Sequence, residues 1–538
     1  MSKSKKYLIN LALLISSIFF ILAILNSTIV STGEIRSEDK QINPNYTSHA
    51  PIEIISDDNF TDYGFPGEGT DTNPYRIENL YIQAEVAYGI NIKFVRMHFV
   101  VQNCLIEDVS TGINLYGISW NSCRIEHNIM TQVSKGIHVY SVTNGTIFHN
   151  TIEAEYTGVD IESAGYLAII NNTISDTMWS GINIDGDAGT IITGNKFYNS
   201  GIMVSTSLMS SLDTYTIENN LVNDKPVGYF KNQDDLDLTT LNYYGQIILY
   251  NCQRVTISNQ DLRYSTIGVL AYQCNNMVIY DCDFGYNYAS ILMDSSDYLY
   301  VHNCEFKHNP QWEALRLIYC DNCLLYENDF EDCYAFYIFY ADNITIRGNY
   351  FYDVGNAMYL CGLSYITVYE NLVIESNCGV QTSFVDFVEI YDNKFYQNYY
   401  GVELTDSNNA TIYSNLFQES SAVAIELEDS TENCTIYHNT FVDNVLMGFY
   451  SSQAYDNGIN NIWYNKTLQE GNYWDDWTSG PYDIDGDAGY QDLYPLSSPT
   501  ITPFIPEYNN SFMASFIIIP ILVFIPSFIQ RRKKRKLS

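Results

Sequence analysis

From about residue 51 to 495, apolar and polar residues alternate along the chain with a period of two. That is the pattern of strands; an amphipathic helix would place its apolar residues three and four apart. The alternation is itself repeated. Fifteen times an Asn, or a Cys or Gln in its place, is followed two residues later by Phe, Ile, Leu, Met or Val. These anchors are Cys104, Asn128, Asn150, Asn172, Asn195, Asn220, Gln260, Cys282, Cys304, Asn328, Asn349, Asn371, Asn393, Asn415 and Asn439. Successive anchors lie 21 to 25 residues apart, except for one interval of 40 between Asn220 and Gln260. A fixed period in this range predicts a solenoid of stacked units.

The cleanest units, Val388-x-Ile390-x-x-Asn393-x-Phe395 and Cys434-x-Ile436-x-x-Asn439-x-Phe441, show what one turn holds. β-Branched and aromatic residues fill short strands, while Asn, Asp and Gly fill the bends between them. The pattern predicts an all-β fold, a parallel β-helix of about 15 turns of about 22 residues. Stacked about 4.8 Å apart, the positions two after the anchor become a ladder of Phe284, Phe306, Phe330, Phe351, Val373, Phe395, Phe417 and Phe441. The anchor Asn is expected at the bend, in the left-handed conformation that Asn tolerates, with its amide bonded to the same amide one turn away.

The ends of the chain differ from this repeat. Lys3, Lys5 and Lys6 precede an apolar run from Tyr7 to Leu25, which reads as an export signal or an uncleaved anchor over residues 1–32. Residues 33–50 follow as a linker, and the β-helix domain is expected over 51–496, with an insertion at 223–243 and a closing segment at 471–496. After a linker at 497–511, residues 512–530 are a transmembrane candidate, followed by the basic tail 531–538. This arrangement places the β-helix at the cell surface, tethered by a single membrane span.

Charge narrows the partners. The formal net charge is −37; without the two basic terminal clusters, 17 basic residues remain against 63 acidic ones. Such a surface does not suit nucleic acid, whose phosphates call for clustered Lys and Arg. Cations and neutral or aminated glycans suit it better. The twelve cysteines fall largely in inward columns, where they act as small apolar residues, with bridges expected, if anywhere, among Cys320, Cys323 and Cys333. Sequons at Asn45, Asn59, Asn144, Asn171, Asn343, Asn409, Asn433, Asn465 and Asn509 mark positions for surface glycans.

Candidate chemistry lies on the outward columns. One early column reads Asn114, His138, Asp160, Asn183, and the next reads Tyr116, Tyr140, Glu162, Asp185; later turns give Glu403 and Glu426, with Glu428 beside them. Carboxylates one rung apart repel unless a cation, a proton or a hydroxyl network intervenes, so Asp160, Glu162, Glu403 and Glu426 are the catalytic candidates if the protein is an enzyme. Tyr369, Tyr391, Tyr413 and Tyr437 form an outward stripe suited to stacking on a polysaccharide or surface glycan. Asp483, Asp485 and Asp487 alternate in a Gly-containing loop followed by Asp492, a pattern suited to calcium, with a weaker copy at Asp185 and Asp187.

The repeat and two longer segments carry a family resemblance. Leu221-Val-Asn-Asp-Lys-Pro-Val-Gly-Tyr-Phe230, running to Cys252, fills the long interval, and Gly471-Asn-Tyr-Trp-Asp-Asp-Trp477 precedes Asp483-Ile-Asp-Gly-Asp487. Together they resemble the NosD-like right-handed parallel β-helix proteins, of the pectin-lyase-like fold. The resemblance implies a right-handed helix, and carbohydrate binding or an adhesive or structural role, with possible calcium. It also leaves open a polysaccharide lyase, epimerase or glycoside hydrolase, and an accessory role in metal-site assembly. The Asn-Thr-Asp, Gly-His-Gly and Arg-Ile-Lys elements of polygalacturonase-type enzymes are absent from the corresponding ladder positions, and Arg316 and Arg347 are the obvious outward bases. Residues Gly67 to Tyr75 are expected to help cap the first turn, and Trp474 and Trp477 the last.

Overall fold

Each regular turn contributes three short strands, and each strand stacks in parallel on its equivalent in the next turn. Ser364–Tyr369, Leu372–Ile374 and Cys378–Ser383 make one such turn. Their inward residues pair Ile366 with Val388, Val373 with Phe395 and Val380 with Val402 in the next. In this computed structural model the described residues are 46–503, apart from 119–122, 186–187, 206–208 and 449. The fold is that of the unit from Ser48 onwards, a parallel β-solenoid of about 16 turns. Both terminal apolar runs lie outside the described residues. Among the described residues no helix is long and apolar enough to cross a membrane.

The anchors work as a ladder, but the bend is one residue earlier than expected. The left-handed residue precedes the anchor in every case: Glu370, Asp392 and Ser414, for example, have φ of 56°, 55° and 53°. That residue turns the corner, so the Asn after it points inward and is buried. Asn393 Oδ1 then accepts from both the backbone N (3.0 Å) and Nδ2 (2.9 Å) of Asn371, while Asn371 Nδ2 also donates to the carbonyl of Ile346. The side-chain amide groups of Asn371 and Asn393 are thereby paired, as burial requires.

Two stacks share this scheme and differ in their filling. In the first, the positions two after the anchor are Ile106, Met130, Ile152, Ile174, Phe197 and Val222, all buried. In the second they are mostly Phe, stacked ring on ring: Phe284 to Phe306 at 4.9 Å, Phe306 to Phe330 at 4.6 Å and Phe330 to Phe351 at 5.0 Å.

The 40-residue interval joins the stacks. Leu221–Val222 reverses into Lys225–Lys231 through an antiparallel hairpin, and Lys225–Lys231 opens the second parallel ladder against Gln246–Tyr250. Asp237–Leu238 pairs with Gln253–Ser258. The interval expected to hold an insertion therefore carries a further turn without an anchor of its own, so the anchors undercount the turns by about one. The longer Gln260 side chain bridges the gap, donating to Thr240 O and accepting from Tyr243 N and Tyr244 N.

Strands Gln246–Tyr250 and Ile267–Tyr272 break the alternation because both their faces are covered. Ile247, Leu249, Val269 and Ala271 belong to the second core, whereas Ile248 and Leu270 pack against the first. Tyr272 OH donates to Val204 O, and the Gln246 side chain bonds both N and O of Ile202.

The first turn is closed by the short helix Asn59–Asp62, whose Phe60 is buried and stacked on Tyr75 at 4.8 Å. At the other end Trp474 continues the Phe ladder, 4.0 Å from Phe441 and 4.1 Å from Tyr482. Two buried carboxylates pin this end. Asp456 accepts from Gly458 N, Asn461 Nδ2 and Trp463 Nε1, and Asp492 from Asn472 N, Tyr494 N and Trp474 Nε1. Trp477 is only partly buried, its indole N–H donating to Gly480 O.

Candidate functional site

The third strand of each turn carries one outward column through both stacks. In the second stack the register aligns Arg316, Tyr337, Tyr359, Gln381, Glu403, Glu426 and Tyr455 on successive rungs. These side chains form a connected surface. Tyr337 and Tyr359 have ring centroids 5.2 Å apart, inclined by 34°. Asn377 Nδ2 donates to Asn356 Oδ1 (3.1 Å), Asn356 Nδ2 to Gln381 Oε1 (2.6 Å), and Gln381 Nε2 to Glu403 Oε2 (3.0 Å).

Glu426 is 9 % exposed and accepts a hydrogen bond from Tyr450 OH at 3.1 Å. Burial, and then the charges of Glu426 and Glu428, push Glu403 up to about 7. Burial pushes Glu426 up as well, against the hydrogen bond from Tyr450. The sequence-predicted pair Glu403 and Glu426 is thus brought together on adjacent rungs, in surroundings that raise both carboxyl groups. Arg316 is held by Glu313 at 3.3 Å, with its guanidinium over Phe339.

In the first stack the same column reads Asn91, Asn114, His138, Asp160 and Asn183. A directed chain of hydrogen bonds runs along it. Asn91 Nδ2 donates to Glu53 Oε1 (3.2 Å), Asn114 Nδ2 to Asn91 Oδ1 (2.8 Å), and His138 Nδ1 lies 2.8 Å from Asn114 Oδ1. Since that amide oxygen only accepts, Nδ1 of His138 is the donor in this contact. Asp160, 1 % exposed, receives Asn183 Nδ2 at 2.9 Å and Lys135 Nζ at 2.5 Å. Glu162 Oε1 is 3.6 Å from His138 Nε2.

Lys135 is the residue that sequence reasoning missed, having named Arg316 and Arg347 as the bases. It lies three positions before His138, next to Gly136, and its side chain reaches Asp160 on the next turn. Glycine is needed there: a Cβ at Gly136 would lie 2.5 Å from Gly158 O and 2.4 Å from Ile152 Cγ2. The signal available in sequence was its own column, Thr111, Lys135, Thr157 and Ser180. Arg347 instead covers the ring of Tyr326 at 4.6 Å.

The remaining candidates fare differently. Tyr369, Tyr391, Tyr413 and Tyr437 do form a stripe, with centroids 5.0, 5.0 and 5.4 Å apart and rings within 12° of parallel. Their faces cover one another, which leaves edges and hydroxyls for a ligand. The four C-terminal aspartates do not converge. Asp492 is buried and committed to the cap, Asp483 accepts from Gln491 Nε2, Asp485 accepts from Ser451 N and Gly486 N, and Asp487 is exposed. Among the described residues these aspartates form no grouping of three such ligands within 4.8 Å of one another, and Asp492 serves the closing turn. Asp185 aligns with Glu162, and Asp187 lies outside the described residues. Among the described residues the one grouping of three His, Cys, Asp or Glu ligands is His138, Asp160 and Glu162, with ligand atoms within 4.8 Å of one another.

Comparison with known sequence families finds a match to the family described as periplasmic copper-binding protein (NosD) over residues 25–219 and 317–479, well over half of the chain. The chain belongs to the NosD family. A second match, to the right handed beta helix region, covers residues 245–385 of this NosD-family chain. No curated protein matches it. Among solved structures it is similar to tailspike protein 3 of bacteriophage CBA120, at 11% identity over 81% of this chain and 67% of that one, with a TM-score of 0.26. The periplasmic alginate epimerase AlgG gives 10% identity over 72% and 84%, TM-score 0.24. The Streptococcus pneumoniae surface protein and adhesin PfbA gives 11% over 78% and 99%, TM-score 0.23. At these scores the likeness says nothing of activity.

The family description raises copper, and most of the buried thiols of this chain do not fit it. All twelve cysteines are unbridged, and all but Cys361 are buried, Cys320, Cys323 and Cys333 included. Burial pushes the thiol of Cys104 up to about 11 and those of Cys123, Cys323 and Cys434 up to about 12, away from the thiolate that a soft copper ion selects. Cys252, which its hydrogen bond with Cys274 lowers to about 7, is the exception.

Proposed function

We propose that the protein is an exported β-helix, held at the cell surface by its terminal segments, that binds a polysaccharide along the outward column from Arg316 to Tyr455. The observation that carries this is the state of Glu403 and Glu426. On an acidic chain an outward carboxylate is ordinarily solvated and charged. Here the two are withdrawn from water, biased toward protonation, and joined to Gln, Asn and Tyr groups. Neutral donors and acceptors beside the tilted rings of Tyr337 and Tyr359 complement sugar hydroxyls and the apolar faces of pyranose rings. The rung repeat of about 4.8 Å offers equivalent contacts along an extended chain. With 63 acidic residues in the sequence, neutral or amino sugars suit this face, and uronate polymers are repelled.

A glycan array probed with the purified full chain, followed by titration of the best polymer, tests this reading. Binding should fall at least tenfold in Tyr359→Ala and in Glu403→Ala. Undiminished binding by Tyr359→Ala would remove the column from consideration.

One observation favours a second reading, a glycoside hydrolase. An acid near neutrality, Glu403, stands one rung from a second carboxylate, Glu426, and acid–base cleavage uses such a pair. New reducing ends released by wild type and not by Glu403→Gln would establish it. Their absence on every bound polymer would leave a binding module.

A further inference from the structure

The first stack holds a polar centre that glycan binding in the second stack does not use. His138 Nδ1 is committed to Asn114 Oδ1, while Nε2 lies 3.6 Å from Glu162 Oε1, beyond hydrogen-bond distance. The Nε2 atom is fully buried and has no hydrogen-bond partner. Three further buried polar atoms, on the next two turns after His138, are also unpartnered: Thr157 Oγ1 and Ser180 Oγ, aligned with Lys135, and Oδ1 of Asn183, aligned with Asp160. Thr157 and Ser180 are fully buried and Asn183 is 3 % exposed. Buried polar groups are normally paired, so four orphans in register beside one His and two carboxylates mark a place built around something positive and polar.

We propose that His138 Nε2, Asp160 and Glu162 form a binding site for a borderline divalent cation of the zinc class, with Asn183 adjacent. One imidazole nitrogen and two carboxylates are an accepted donor set for such an ion. The chain from Glu53 through Asn91 and Asn114 holds His138 at Nδ1, the usual way a ligating imidazole is oriented from behind. Lys135 counters the charge of Asp160 in the absence of the ion and competes with it for that carboxylate.

The test is calorimetric titration of the metal-stripped full chain with Zn2+, paired with thermal melting. Wild type should bind one Zn2+ per chain and melt higher with it. His138→Ala and Glu162→Gln should each weaken binding at least tenfold; Glu162 is a surface side chain, so Glu162→Gln should fold even if His138→Ala does not. Lys135→Met removes the competitor and should bind at least as tightly as wild type, with a larger Zn2+-induced rise in Tm. Absence of stoichiometric binding by wild type, or affinity unchanged in Glu162→Gln, or a loss in Lys135→Met as large as that in Glu162→Gln, would overturn the assignment.

Discussion

At the same position of the third strand, the first stack places Asn114, His138, Asp160 and Asn183, and the second places Tyr359, Gln381, Glu403 and Glu426. The backbone around them is the same: parallel rungs, an inward apolar neighbour on either side, a bend shortly before. Yet one column is a tight ionic centre with a lysine folded back onto it, and the other is a run of amides, hydroxyls and raised carboxylates along the axis. Rung geometry fixes which residues must be apolar and leaves this column free. Chemistry is therefore carried by residues that the repeat does not specify.

The largest contrast should come from the cores. Phe330→Ala removes a ring stacked on both neighbours and should cost about 4 kcal/mol, seen as a lower denaturation midpoint. Ile152→Val, in the equivalent ladder of the first stack, should cost about 1 kcal/mol. Similar losses for the two would mean that the aromatic ladder adds nothing beyond its volume. Next comes the anchor: Asn393→Ala leaves the N and Nδ2 groups of Asn371 without their acceptor inside the core, a loss of about 3 kcal/mol, measurable in the same experiment.

Titration separates the two columns further. The folded pKa of Glu403 lies above its unfolded value, so its contribution to stability is complete below pH about 4.5. That contribution is lost as pH rises through about 7. Glu403→Gln should accordingly match wild type at pH 5 and exceed it at pH 8, by about 1 kcal/mol once partial solvent screening is allowed for. A variant less stable than wild type at pH 8 would contradict the raised acid. The smallest effect is expected from Tyr391→Ala, about 1 kcal/mol from lost stacking and no change in glycan affinity, because the ring faces are already occupied.

The period, the strand alternation and the Phe ladder were legible in sequence because every turn repeats the same inward demand. Errors arose where a demand is met by a neighbour. The bend falls on Glu370 and not on Asn371, since both positions tolerate polar residues and only the backbone tells which is left-handed. The extra turn stayed hidden because Gln260 reaches across to Thr240 in place of a second anchor. The strands at Ile247 to Leu249 and Val269 to Ala271 depart from the alternation because residues far away in sequence cover their second face.

The sites were half legible for the same reason. Glu403 with Glu426, and Asp160 with Glu162, followed from counting along columns. Lys135 did not, because its side chain leaves its own column, where it faces Thr157, to reach Asp160. The Asp483 to Asp492 spacing imitates a cation loop, but Trp474 and the backbone around Asn472 claim Asp492 for the closing turn. Even the sequons at Asn144, Asn343, Asn409 and Asn433 have a fold origin: each Asn is a left-handed residue, followed by an inward residue or glycine and a Thr within a strand.

The division of labour between the stacks is tested most directly by measuring glycan affinity of the full chain, by isothermal titration with the best array polymer, in two single variants side by side. Tyr359→Ala should lose at least tenfold while His138→Ala retains wild-type affinity. Retention by Tyr359→Ala together with loss in His138→Ala would place recognition in the first stack and contradict the account.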